Sequence, residues 1–249
     1  MFEFNMDAHM HFDLYKNREE ILDYIERQKS YTLAMTNLPS LYKKYREIYS
    51  QYNYTKIALG FHPELVKNYY HQIDIFERIC KDTRYIGEVG LDFTTDDLRE
   101  RKMQEEIFVR VVEASSRYGK KIMSVHTRRA AKPVLDILTN FNGGVIFHWF
   151  SGNLTELQEA VNRDYYFSLN HQMLRSTSGK TIINNIPVDR ILIESDAPFT
   201  KGMEEIYDMR LLNVIYNYIA ELYAQDITTV KKRIKLNFIE LLNQREDYV

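Results

Sequence analysis

The chain has 249 residues, 45% hydrophobic and 27% charged, which is enough apolar content to bury a full core, and its net charge is -2. That balance excludes a global attraction to polyanions, so any contact with nucleic acid has to come from a local basic patch. One cysteine, Cys80, rules out an intramolecular disulfide. No cationic segment followed by an apolar stretch opens the chain, and no apolar run reaches the roughly 18 to 20 residues of a membrane span; a cytoplasmic protein with no membrane partner is expected.

Short β-branched or aromatic runs alternate with helical stretches along the whole length. Phe2 to Ala8 reads as the first strand, Arg18 to Lys29 as a helix with Ile21, Leu22 and Ile25 on one face, and Tyr31 to Thr36 as the second strand. Pro39 suits the start of a helix running through Tyr42, Tyr45 and Tyr49. The third strand, Lys56 to His62, precedes a helix over Ile73 to Cys80, and the fourth is Arg84 to Val89. A long amphipathic helix follows from Leu98 to Tyr118. Lys121 to His126, Gly144 to His148 and Tyr165 to Leu169 are the fifth to seventh strands, separated by helices over Ala130 to Leu138 and Leu154 to Asn162. A short helix around Lys180 to Asn184 leads to the eighth strand, Arg190 to Asp196, and two helices, Tyr207 to Ala224 and Thr228 to Leu242, close the chain.

Strands and helices alternating every ~25 to 35 residues call for right-handed βαβ units, and eight of them fit a closed (β/α)8 TIM-type barrel, here one domain over residues 1–249. In such a barrel the C-terminal strand ends converge on one mouth. His9, His11, His62, Glu88, His126, His148 and Asp196 all fall at or just past strand ends. In an extended segment residues i and i+2 point the same way, so His9 and His11 can share one ion, and neutral imidazole suits Zn, Fe, Ni or Cu. Taken alone the pair says little. Seven metal-type side chains at the ends of six strands are hard to explain without a shared use.

These residues carry a family resemblance. His9-Met10-His11, Gly60-Phe61-His62-Pro63, Gly87-Glu88-Val89-Gly90-Leu91-Asp92, Ser124-Val125-His126-Thr127-Arg128, Phe147-His148-Trp149-Phe150-Ser151-Gly152 and Glu194-Ser195-Asp196-Ala197-Pro198 resemble the successive motifs of the TatD-like metal-dependent hydrolases. The likeness runs through nearly the whole chain to Asn237-Phe238 in the last helix. It implies a metal-dependent hydrolase barrel with a two-metal site, in a family whose members act as DNases or, in some cases, on other substrates. The Pro63-Glu64-Leu65, His148-Trp149-Phe150 and Pro198-Phe199 variants also resemble the TatD-like component of Qat antiphage defence systems, which implies protein partners.

The chemistry of the residues agrees. Two divalent ions about 3.5 to 4 Å apart need a bridging ligand, and Glu88 is the candidate, because no Lys stands at a strand end to be carbamylated. His9 and His11 complete one metal with Glu88 and Asp196, and His126 and His148 hold the other; zinc is the first expectation, with magnesium or manganese as alternatives. Asp196 is the expected acid/base, taking the proton of a metal-bridging hydroxide and returning it to the leaving group, although a helix N-cap would also account for it. His62, Arg128 and Arg129 are expected at the substrate, Trp149 and Phe150 as stacking surfaces, and Asp92 behind a ligand histidine. Where typical family members carry a basic loop ending in Asn-x-Pro, Phe199 to Glu205 is short and acidic.

The leading expectation is therefore a deoxyribonuclease or phosphodiesterase acting on single-stranded or frayed DNA ends, and the Qat resemblance implies a role in antiphage defence. The alternatives are a barrel hydrolase for an amide, lactone or modified nucleobase, and a metal-bound structural subunit of a defence complex.

Overall fold

The computed structural model describes residues 5–243, so the expected start of the first strand at residues 2–4 lies outside the described residues. Eight strands follow one another: β1 (Asn5–Met10), β2 (Ser30–Met35), β3 (Thr55–Ala58), β4 (Tyr85–Gly90), β5 (Ile122–His126), β6 (Gly144–His148), β7 (Tyr166–Leu169) and β8 (Ile191–Ile193). All neighbouring pairs are parallel, in two ladders, β1-β2-β3 and β4-β5-β6-β7-β8. Leu59 bridges to Ile86 and joins the ladders on one side. On the other, the Asp196 N–H donates to the His9 carbonyl at 2.9 Å and the His11 N–H to the Ala197 carbonyl at 2.8 Å, just past the end of β8. The sheet thus closes into the expected (β/α)8 barrel.

The helices are α1 (Arg18–Gln28), α2 (Pro39–Ile48), α3 (Val66–Tyr69), α4 (Ile73–Ile79), α5 (Leu98–Ser116), α6 (Ala131–Ile137), α7 (Leu154–Asn162), α8 (Thr177–Asn185), α9 (Asn213–Leu222) and α10 (Ile227–Asn243). Their ends follow local chemistry. Lys29 ends α1 in the left-handed conformation (φ 51°), Pro39 opens α2, and a capping box between Asn153 and Glu156 starts α7. Each strand buries an apolar run such as Ile191-Leu192-Ile193 against these helices.

Four stretches depart from the periodicity. The eighth strand, expected over Arg190 to Asp196, spans only Ile191–Ile193. The third strand ends at Ala58 rather than reaching His62, and residues 63–72 form short 3-10 and α turns. The last helix before β8 is longer than expected, Thr177–Asn185, and follows a 3-10 turn at His171–Arg175. The expected helix from Tyr207 begins only at Met209, as a 3-10 turn, because the Tyr207 hydroxyl is drawn into the barrel to donate to the Asp7 carboxylate at 2.8 Å. The other end of the barrel is tied down by Asn237, whose Nδ2 donates to the Val188 and Ile191 carbonyls at 2.8 Å each.

Candidate metal centre

The strand ends bring six side chains to one point. His9 lies within β1, and His11 follows it by one residue past the strand end; both are fully buried. Glu88 sits near the end of β4, His126 and His148 end β5 and β6, and Asp196 stands three residues past β8. Gly90 lets β4 and β5 approach closely here: its φ is +132°, and a Cβ would sit 2.1 Å from the His126 carbonyl oxygen.

The carboxylate of Glu88 is divided between two pairs of imidazoles. Its Oε2 lies 3.2 Å from His11 Nε2 and 4.0 Å from His9 Nε2, and these two nitrogens are 3.2 Å apart. Its Oε1 lies 2.9 Å from His126 Nδ1 and 3.2 Å from His148 Nε2, again 3.2 Å apart. Asp196 Oδ1 joins the first pair, 3.8 Å from both nitrogens. Two lone pairs facing each other at such a distance repel unless a proton or cation lies between them. Buried imidazoles gathered around one carboxylate in this way fit divalent ions well.

The surrounding groups assign the free nitrogens. His9 Nδ1 pairs with Ser124 Oγ at 2.8 Å, which leaves Nε2 for an ion. His126 Nε2 meets Asp92 Oδ2 at 2.8 Å, which leaves Nδ1; this is where the sequence placed Asp92. His62 differs. Its Nδ1 accepts the Glu64 backbone N–H at 3.2 Å, so in the neutral ring the proton is on Nε2, which points at Glu88 Oε1 from 3.3 Å. Proximity alone groups His62 with Glu88 and His126 as ligands, but its tautomer makes it a hydrogen-bond donor toward the centre.

Without a cation, electrostatics favour the ligand forms of His9, His148 and Glu88, and the protonated forms of His126 and Asp196. Burial holds His9 well below the usual imidazole range and lowers His148 to about 4, so both are neutral. Burial would raise Glu88, but His62 and hydrogen bonds from His11, His126 and His148 outweigh it and hold the group ionised, well below the usual carboxylate range. Burial would lower His126, yet its bonds to Asp92 and Glu88 raise it to about 9. Burial and then the Glu88 charge push Asp196 well up, a direction that a cation beside it reverses.

Two buried carboxylates behind the centre escaped sequence reasoning. Asp7, raised to about 6 by burial, accepts the Ser195 N–H at 2.9 Å and the His9 N–H at 3.2 Å, pinning β1 to the segment that carries Asp196. The two-residue period that pairs His9 with His11 also reaches Asp7, and was the available signal. Glu194 accepts from Asn170 Nδ2 at 2.9 Å and from the Trp149 N–H at 3.2 Å, and also bonds Ser168 Oγ. It thereby holds Trp149 in the left-handed region (φ 40°), which a bulky residue seldom occupies.

A cavity of about 410 Å³ opens over the centre, with His62, Arg128, Trp149 and Phe199 on its walls. Arg128 is exposed there, whereas Arg129 is not among the lining residues. Trp149 is half-buried at the wall, but Phe150 is not available for stacking: it is 2% exposed, packed against Phe147 and Phe167 with ring centroids 5.4 and 5.6 Å apart. Phe199, which the sequence marked only as a motif variant and not as a stacking surface, lines the cavity instead. It is 59% exposed, edge-on to His11 at 5.4 Å.

Residues 6–243 match the family described as TatD related DNase. The human deoxyribonuclease TATDN3 is 24% identical over 95% of this chain and 93% of its own length. A metal-dependent hydrolase of Buchnera aphidicola is 27% identical over 96% of this chain and 99% of its own. The crystal structure of the TatD homologue YjjV from Escherichia coli superposes with a TM-score of 0.83 at 19% identity, covering 97% of this chain and 98% of that one. With the ligand-bearing barrel mouth and a match across nearly the full length, the chain belongs to the TatD-related DNase family of metal-dependent hydrolases.

Proposed function

We propose that this protein is a deoxyribonuclease using two divalent ions, with residues 1–249 acting as one unit and DNA, single-stranded or frayed, as substrate. The observation that supports it most is the division of Glu88 between two imidazole pairs, one at each oxygen. When bound there, two ions, zinc by the imidazole-rich donor set with magnesium or manganese as alternatives, supply Lewis acidity toward a phosphoryl oxygen and lower the pKa of an attacking water. Asp196, touching the first pair, takes the proton released on attack and returns it to the leaving oxygen. His62 presents its Nε2 proton to a non-bridging oxygen and Arg128 adds positive charge at the cavity wall, while Asp92 keeps His126 oriented.

The cavity, at about 410 Å³, admits a nucleotide but not a duplex, so one phosphate reaches the centre only after unpairing. Trp149 offers a face for the freed base. Metal-loaded protein is expected to cleave single-stranded DNA faster than a blunt duplex of the same sequence, and Trp149→Ala to lower the single-strand rate by roughly tenfold, one stacking contact. Salt should weaken binding only modestly, because few phosphates are neutralised. Equal cleavage of both substrates, or turnover of a lactone or amide with none of either DNA, would replace this reading with that of a carbonyl hydrolase.

The resemblance of the Pro63-Glu64-Leu65, His148-Trp149-Phe150 and Pro198-Phe199 variants to the Qat component supports a place in antiphage defence. Phage plating on cells carrying the chain in its native gene context is expected to fall relative to cells carrying Asp196→Asn, and equal plaque counts would count against that placement.

A further inference from the structure

On the far side of Trp149 and Ser151 lies a second cavity of about 310 Å³. Trp149 and Ser151 line both cavities, so the two adjoin at these residues. Their linings differ in charge. Glu64, Glu88, Asp92 and Asp196 face the first, which suits cations, whereas no Asp or Glu lines the second. Arg175 supplies the only charge among its lining residues, is exposed, and forms no ion pair among the described residues. Ser178 adds a hydroxyl to the same wall, and Gln172 an amide whose Oε1 is buried without a partner.

A single strand repeats a phosphate and a flat base at each step, so a site next to the cleavage point must offer a cation and a stacking face in turn. The second cavity has both, in a volume within the range of small-ligand sites. We propose that it is a binding subsite for the nucleotide adjacent to the cleaved linkage, with Arg175 on that nucleotide's phosphate and Trp149 between the two positions. This rests on the phosphodiesterase reading above and extends it from one nucleotide to a strand.

The test compares three probes on metal-loaded protein: bis(p-nitrophenyl) phosphate, with one phosphate and no neighbour, a thymidine dinucleotide, and a thymidine hexanucleotide. For the wild type, KM is expected to fall about tenfold from the dinucleotide to the hexanucleotide. Arg175→Glu should raise the hexanucleotide KM by about tenfold or more and reduce the slope of log KM against log salt by about one, while Arg175→Lys retains most of the affinity. If bis(p-nitrophenyl) phosphate is turned over but KM shows no length dependence, or Arg175→Glu leaves the hexanucleotide KM unmoved, the subsite is wrong and the phosphodiesterase reading stands. If none of the three probes is hydrolysed, the phosphodiesterase reading fails and takes the subsite with it.

Discussion

Replacing Asp196 by Asn is expected to lower turnover by roughly 10² to 10⁴-fold while leaving the barrel folded and much of the metal bound. The residue is 4% exposed, sits in the left-handed region (φ 48°), and its Oδ1 is 3.8 Å from both His9 Nε2 and His11 Nε2. Asn tolerates left-handed backbone as well as Asp does, so the variant removes the basic oxygen without straining the turn. Its carbonyl can still approach a cation, but an amide cannot take up and return a proton near neutral pH. Three measurements separate these effects: single-turnover rate on a DNA substrate, metal content, and thermal midpoint. A variant with wild-type turnover would exclude Asp196 as the acid/base, and one that loses fold and metal together would place its role in structure.

The second large effect concerns Glu88. The purified protein is expected to hold up to two divalent ions per chain, and Glu88→Gln to fall to one or fewer, because one carboxylate faces both imidazole pairs and an amide offers neither its charge nor a second equivalent oxygen. Removing that charge should also lower the affinity of the proton on His126, which Glu88 helps to hold at 2.9 Å. Plasma emission after dialysis against Zn, Mn or Mg reads the stoichiometry. Zero metal in the wild type under all three conditions would sink the binuclear assignment, and full occupancy in Glu88→Gln would remove Glu88 from the bridging position.

Much of this site was legible in local pattern. The apolar runs that end in His126, His148 and Glu88 are strands with the expected ends to within a residue, because strand periodicity and strand termination are local properties. The capped helix at Leu154–Asn162 matched residue for residue, since its Asn153 and Glu156 signals lie three apart. Where local signals competed with distant partners, the pattern failed. Tyr207 reads as the start of an apolar helix, yet its hydroxyl finds Asp7, 200 positions away, and helix formation waits for the next residues. Trp149 and Phe150 are equivalent aromatics in sequence, but Glu194 fixes the backbone of the first and the Phe147–Phe167 cluster buries the second.

What the sequence by itself determined is the set of chemical groups and their assignment to strand ends: His9-x-His11, Glu88, His126, His148 and Asp196, in an order that requires a parallel barrel. Only the tertiary structure decided which nitrogen of His9 and of His126 is free, that Glu88 is shared between two pairs, that His62 faces the centre as a donor, and that Arg175 lines a cavity adjoining the mouth at Trp149. Periodicity records only neighbours two to four residues apart. These relations join residues brought together by closure of the barrel, such as Asp7 with Ser195 or His9 with Ser124, and are settled by the register of strands far apart in the chain.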